Sequence, residues 1–262
     1  MKLRSLICVS AVMAAIAASA DTTVAGGNTF ARLPVTSPFA NSIIAIPFSG
    51  CGETSTHIYV TNLVQTTGLT QGDTLMYKNG ANWYAWRIDA SGNWQELTTS
   101  TEAGGISFTP VAGATALDCG KACWLYRSNS SGTVYLYGQK NSSLPGVTVA
   151  AGTASAITYT IVGYPNEAAA LDLSSWSKTG MAEGDVVIVP DSNGTGQKTY
   201  RYNGSAWTKA TDTTSTVKTP RGEKTVTTTS WTTVAAGQAT IAPGCGFMYG
   251  RKAQSELPLT WD

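Results

Sequence analysis

The chain reads as an all-β protein of two tandem modules, each a β-sandwich or β-barrel-like unit related to the other by internal duplication. Three observations lead there. The first is composition: of 262 residues, 38 are Thr and 27 are Gly, 9% are aromatic and only 13% are charged. Threonine and aromatic side chains suit a pleated, half-buried surface, and glycine supplies the turns between strands. The second is alternation along short runs bounded by turn residues. The third is self-similarity at a shift near 112 residues, the mark of a repeated structural unit.

At the N-terminus, Lys2 and Arg4 precede an apolar run from Leu6 to Ala18, which ends in Ala18-Ser19-Ala20. A charged start, an apolar stretch and small residues make a secretory signal, so residues 1–20 are expected to be removed on export. The run is shorter than the roughly 20 apolar residues that span a bilayer, and no later stretch approaches that length. No transmembrane segment is therefore expected after cleavage, and the mature chain divides into module one, 21–143, and module two, 144–262. Cleavage leaves 15 basic and 16 acidic residues. A near-neutral chain lacks the basic face that nucleic acid needs, so no nucleic-acid partner is expected. The expected destination is the periplasm, the cell surface or the exterior.

Four cysteines remain after export: Cys51, Cys119, Cys123 and Cys245. An even number in an oxidising compartment predicts two disulfides, with three possible pairings that sequence leaves open. Cys119-x-x-x-Cys123 could supply two thiolates to zinc, but the wide spacing of the other two fits disulfides better. No metal and no cofactor is expected.

Repetition then orders the elements. Leu33-Pro34-Val35-Thr36 recurs as Leu144-Pro145-Gly146-Val147-Thr148, and Ser42-Ile43 as Ala156-Ile157. Ile58-x-Val60-x-x-Leu63 recurs as Leu171-x-Leu173-x-x-Trp176, and Gly68-Leu69-x-x-Gly72-Asp73 as Gly180-Met181-x-x-Gly184-Asp185. Trp86-Arg87 with Trp94 corresponds to Tyr200-Arg201 with Trp207, and Tyr135 to Lys140 is matched with Phe247 to Lys252. A further copy of the opening motif, Leu257-Pro258-Leu259-Thr260, suggests that the last residues complete the second module. It is no sortase anchor, because Trp261 stands where glycine is required.

Thr74 to Tyr77 and Val186 to Val189 read as strands that follow Gly-Asp turns, with Asn79-Gly80 as a hairpin signal in module one. In module two, Pro190 to Gly196 is a longer turn-rich loop. An aromatic strand, a turn at Ser91-Gly92-Asn93 or Asn203-Gly204-Ser205, and a strand begun by Trp94 or Trp207 come next, so each module carries a β-meander. A helical turn is expected only at Glu167 to Ser175, where Ala168, Ala169 and Ala170 favour helix, while its counterpart from His57 to Val64 reads as extended.

The segments NSIIAIPFSG, GLTQGDTLMY, GNWQEL and IAPGCGFMYGRK resemble those of exported bacterial β-repeat proteins, with an early strand, a Gly-Asp strand, a Tyr/Trp hairpin and a Gly-x-Gly-Phe closing strand. The resemblance implies export and β structure and carries no activity to these residues.

Candidate chemistry is sparse. His57 is the single histidine, and a triad with Asp73 or Asp118 would lack any nucleophile elbow. Asp73 and Asp185 repeat, as paired glycosidase carboxylates would, but each follows Gly before a strand, where an Asp side chain satisfies turn amides. Asp89, Glu96, Asp118 and Asp172 are scattered singly. Asp191-Ser192-Asn193-Gly194-Thr195 offers alternate oxygens without the closing acid of a calcium loop. No glycine-rich phosphate cradle opens a helix. No residue is therefore assigned a catalytic role.

The aromatics carry the one ligand hypothesis. Along Trp83 to Ile88, alternation puts Tyr84, Trp86 and Ile88 on the core face and Trp83, Ala85 and Arg87 on the other. Trp83 is then either covered by the other module or exposed as a platform on which a sugar stacks, with Arg87 beside it. The sequence thus points to an exported, non-catalytic structural or adhesive protein whose partners are itself or cell-surface glycans. The alternatives are a glycan-binding module using Trp83 and Arg87, and a hydrolase with unrecognised carboxylates.

Overall fold

The computed structural model describes residues 21–23, 29–37, 40–48, 57–99, 106–111, 116–128, 131–140, 146–191, 196–219 and 222–261. The expected signal segment and Cys51 lie outside them. The described residues form strands joined by turns, with a single helical turn.

The first part of the chain comprises β1 (Asp21–Thr23), β2 (Thr29–Ser37), β3 (Ala40–Ala45), β4 (His57–Tyr59), α1 (Val60–Leu63), β5 (Thr74–Asn79) and β6 (Asn82–Ile88). It continues through β7 (Trp94–Thr99), β8 (Ile106–Pro110), β9 (Ala116–Asp118), β10 (Ala122–Arg127) and β11 (Gly132–Gln139). The second part comprises β12 (Val147–Val149), β13 (Thr158–Gly163), β14 (Leu171–Asp172), β15 (Val186–Pro190) and β16 (Gln197–Tyr202). It ends with β17 (Trp207–Thr219), β18 (Gly222–Thr233), β19 (Thr240–Ile241), β20 (Gly246–Arg251) and β21 (Leu257–Leu259).

Two six-stranded antiparallel sheets dominate, in the orders β3-β10-β5-β6-β7-β8 and β13-β20-β15-β16-β17-β18. Each sets an early strand at one edge, a late strand beside it, and a four-strand meander beyond. The inner face of the first sheet buries Leu75, Tyr77, Trp86, Ile88 and Leu125. Above them lie Leu33 and Val35 of β2, Val134 and Leu136 of β11, and Ile58 and Leu117 of the β4–β9 pair. In the second sheet Val187, Tyr200, Tyr202, Trp207, Phe247 and Tyr249 pack beneath Val147 and Val149 of β12 and Leu257 and Leu259 of β21. Alternate residues point inward, as the period of two requires.

Tryptophans fill both cores, and one in each core is tied by its N–H to a backbone carbonyl, whereas the buried Trp176 and Trp261 indole N–H groups have no partner among the described residues. Trp94 Nε1 donates to the Val64 carbonyl at 3.2 Å and Trp207 Nε1 to that of Trp176 at 2.9 Å. A buried indole usually finds such a partner. The 6° interplanar angle between Trp176 and Trp207, at 5.8 Å, makes this the most aromatic part of the molecule.

Each Gly-Asp turn is locked by a buried ion pair. Asp73 Oδ2 accepts from the Thr70 amide at 2.9 Å and lies 2.8 Å from Arg127 Nε, while Oδ1 accepts from the Ser128 amide at 2.8 Å. Asp185 Oδ2 accepts from the Ala182 amide at 3.0 Å, Arg251 Nη1 at 2.9 Å and the Tyr249 hydroxyl at 2.8 Å. Both carboxylates accept turn amides, as anticipated from their position after glycine; their arginine partners were not anticipated. Both aspartates are 0% exposed. Burial and the Asp185 carboxylate hold the Tyr249 phenol protonated well above its ordinary range.

Three details differ from expectation. The helical turn forms at Val60–Leu63, with Val60 and Leu63 buried, and not at 167–175. There the Asn166 side chain accepts from the amides of Ala168 and Ala169 at 2.8 and 3.1 Å, and Leu171–Asp172 pairs with β19. A side-chain turn and a strand pairing outcompete helical propensity. Next, Phe247 to Arg251 occupies in its sheet the place that Ala122–Arg127 holds in the other, so Tyr135 to Lys140 is not its counterpart. Finally, Ile43 on β3 stands where Ile161 stands on β13, not Ile157. The expectation for the last residues holds, since Leu257 and Leu259 pair with Val149 and Val147.

The sheets meet edge to edge through matching groups. The Ala45 amide donates to the Gly244 carbonyl at 2.7 Å, and the Gly163 amide to the Gly120 carbonyl at 3.0 Å. Bridges join Ile44 to Cys245 and Lys121 to Val162. So close an approach requires small residues: a Cβ on Gly163 would lie 2.2 Å from the Lys121 carbonyl oxygen.

Replacing Asp73 with Ala strands the Arg127 guanidinium in the core and should lower the unfolding free energy by about 3–5 kcal/mol in urea melts. The double variant Asp73→Ala/Arg127→Met should recover part of that loss. Equal stability of the single variant and the parent would refute the role given to the pair.

Candidate functional site

The outer face of the first sheet carries the predicted ligand residues. Trp83 and Arg87 share that face of β6, while Trp86 and Ile88 are buried beneath it. Trp83 is 54% exposed, with the Lys78 ammonium 5.8 Å from its ring centre. Of the two fates left open for it, exposure is the one realised. Arg87 is differently engaged: its guanidinium carbon lies 3.7 Å over the Phe108 ring and its Nε donates to Gln95 Oε1 at 3.3 Å. Four strand residues separate the two by roughly 13 Å, so they do not converge on one small ligand.

Cross-strand register adds a feature that linear reading missed. Ile43, Trp124, Met76, Ala85, Leu97 and Phe108 fall on neighbouring positions of successive strands and form an apolar band across this outer face. Ile43 is covered by the second sheet and the other five are half-buried. Only the pairing register, not the spacing along the chain, reveals the band.

The second sheet carries a longer device. β17 and β18 pair over twelve positions, from Thr208↔Thr233 to Thr219↔Gly222. β17 pairs with β16 only at Trp207, Thr208 and Lys209, so the rest of the hairpin is a free two-stranded ribbon. From Thr211 to Thr219 it extends roughly 30 Å at the rise of an antiparallel strand. Thr211 to Lys218 are exposed on both faces, and the outer strand β18 has no strand paired on its far side among the described residues. Its side chains bond across the ribbon: the Thr229 hydroxyl donates to Asp212 Oδ1 at 2.6 Å. The corresponding β7–β8 hairpin pairs over five positions.

Of the remaining acids, Asp89 and Asp172 are held by turn amides and Asp118 by two side chains, while Glu96 lies within β7. Asp89 Oδ1 accepts the Ser91 and Asn93 amides at 2.9 and 2.8 Å. Asp172 accepts the Ser174 and Gly237 amides, which hold its carboxyl below the ordinary range. Asp118 accepts from the Tyr77 hydroxyl at 3.0 Å and the Lys121 ammonium at 2.7 Å. His57 pairs through its backbone with Asp118, whereas Asp73 is enclosed with Arg127. Among the described residues no three His, Cys, Asp or Glu side chains gather as metal ligands. The Ser192 to Thr195 part of the calcium-like loop lies outside the described residues.

No disulfide is present among the described residues. Cys123 pairs with Ile44 on one side of β3, and Ile44 bridges to Cys245 on the other. Two strand spacings put these sulfurs' backbones roughly 10 Å apart, beyond the roughly 4.4–6.8 Å that a disulfide spans. The expected pairing of all four cysteines into two disulfides is therefore not what the described residues show, and Cys123 and Cys245 are core thiols. Cys119 Sγ lies 2.9 Å from the Phe48 carbonyl oxygen. Between the sheets, Ile43, Val189, Tyr200, Ile241 and Cys245 line a cleft of about 370 Å³.

No family model, no curated protein and no solved structure matches this chain.

Burial pushes the Cys245 thiol up to about 11 from an ordinary value of 9.0. A raised folded-state value means the folded chain favours the protonated thiol, so this contribution to stability is intact below the unfolded value and is lost as pH rises from about 9 to 11. Urea midpoints across that window should therefore fall more steeply for the parent than for Cys245→Ala; identical slopes would contradict the burial of this thiol.

Proposed function

We propose that this is an exported, non-catalytic protein of the cell surface or extracellular matrix, built from two copies of one sandwich-like β unit at 21–143 and 144–262. It acts as a structural or adhesive component, and the β17–β18 ribbon is its contact element. The observation that carries this reading is the ribbon's open edge. From Thr225 to Thr233 the edge strand has no charged residue and no proline. Proteins that avoid edge-to-edge pairing place charges or prolines there, whereas an open strand edge is a template for another chain. Threonine hydroxyls on both faces keep such a ribbon soluble while it is unpaired.

Duplication is supported by the equal strand orders, the two Asp–Arg pairs and the two tryptophan caps. Export rests on the signal pattern at residues 1–20. A non-catalytic role is favoured because Asp73 and Asp185, the repeated carboxylates, are committed to buried ion pairs. A second reading, glycan binding at the platform of Trp83, is favoured by that ring's exposure.

Sedimentation of the mature chain should reveal multimers, and replacing residues 211–230 by an Asn-Gly turn should yield a monomer with an unchanged melting temperature. A parent chain that stays monomeric at high concentration would remove the ribbon's assigned role. For the second reading, Trp83→Ala should abolish signal on a glycan array.

A further inference from the structure

We propose that a depression on the outer face of the second sheet binds the carboxylate of an acidic sugar, with Arg201, Lys252 and Trp231 as its contacts. Trp231 belongs to the edge strand β18, but the site uses its side chain on the outer face of the sheet and not the open backbone edge of that strand, and it does not include Trp83. The depression, of about 410 Å³, is lined by Arg201 of β16, Trp231 of β18, Lys252 after β20, Gly184, and the Thr153 and Ser155 side of a preceding turn. That volume falls within the range of small-ligand sites.

Charge is the first argument. Two cations line the depression and no carboxylate does. Neither Arg201 nor Lys252 makes an ion pair among the described residues. The nearby Asp185 does not offset them, because its oxygens face Arg251, the Tyr249 hydroxyl, and the amides of Ala182 and Lys252. Lys252 and Arg201 both reach Gly184: a Cβ there would lie 3.1 Å from the lysine Cδ and 4.0 Å from Arg201 Nη2.

The other sheet supplies an internal comparison. There the corresponding arginine, Arg87, is stacked at 3.7 Å on Phe108 and tied to Gln95. At the corresponding place in the second sheet Thr208 turns its hydroxyl to the Arg201 carbonyl at 2.8 Å, and the Arg201 guanidinium stands 6.0 Å from the Trp231 ring. The position of Lys252 is held by Ser128, whose hydroxyl is bonded to Asp73 and the Gln71 carbonyl. One arginine is thus closed off, while the other has a second cation beside it and an indole left 44% exposed. A guanidinium and an ammonium bind a carboxylate through charge-assisted hydrogen bonds. The adjoining indole receives the C–H face of a pyranose ring. Together they select a sugar that carries its own negative charge, a uronate.

Calorimetry of the mature chain with trigalacturonate at low salt tests this, with the fully methyl-esterified trimer and a polyglutamate of equal charge as comparison probes. Trigalacturonate should bind and perturb the Trp231 indole resonance. A charge-assisted hydrogen bond corresponds to about tenfold or more in affinity, so the ester, Arg201→Gln and Trp231→Ala should each weaken binding by at least that much. Arg87→Gln should leave it unchanged, with unaltered melting temperatures confirming the fold of every variant. No binding at millimolar trimer, equal binding of the ester, equal competition by polyglutamate, or insensitivity to Arg201→Gln would each overturn the proposal. Trp83→Ala as the damaging change would transfer binding to the first sheet and overturn it equally. Multimer formation by the parent chain is read separately, so failure here leaves the ribbon's role standing.

Discussion

The buried carboxylate behind each Gly-Asp turn is the constraint on which the rest of each sheet depends. Asp73 stands at the entrance of the meander, and Arg127 closes the strand hydrogen-bonded to it. Arg127 also reaches back to the Gly68 carbonyl at 2.6 Å, so one ion pair ties the turn, the strand that comes after it and the late strand β10. Such a pair costs desolvation and contributes little net stability against an apolar substitute, but its loss on one side alone is severe. Its value lies in register. A slip of one residue in a strand with one buried face would turn Leu75 and Tyr77 outward. The pair makes that slip intolerable.

With the inner faces so constrained, the outer faces are free to differ. The first sheet presents an apolar band with Trp83 at its margin and an arginine folded onto phenylalanine. The second presents a cationic hollow and a long threonine ribbon. Similar strand orders therefore support unlike surfaces, because strand alternation separates the residues that hold a sheet together from those that meet solvent.

Much of this was legible in the sequence, and the part that was not has a physical reason. The meander, its turns and the core side of Trp86, Ile88 and Trp94 come from alternation and glycine placement, which are local. The partners of Asp73 and Asp185 lie 54 and 66 residues away in sequence, and no local pattern marks which arginine closes a carboxylate. The mismatch at Phe247 has the same origin: tyrosine and lysine composition resembles two different strands, and only hydrogen-bonded order separates them. Alanine propensity at Ala168 to Ala170 failed against a single asparagine side chain. Arg87 and Trp83 were placed on the right face, yet their separation and the stacking on Phe108 required cross-strand geometry. The cationic hollow was missed because its residues come from three elements distant in sequence.

The junction between the sheets has one more implication. Its two backbone bonds, Ala45 to Gly244 and Gly163 to Gly120, use the same strand end and the same turn from either side, as in an isologous contact. A patch that is its own complement is used up when two units meet, so it closes on a pair and cannot propagate. Any fibre or lattice made from this chain must grow from surfaces away from that axis.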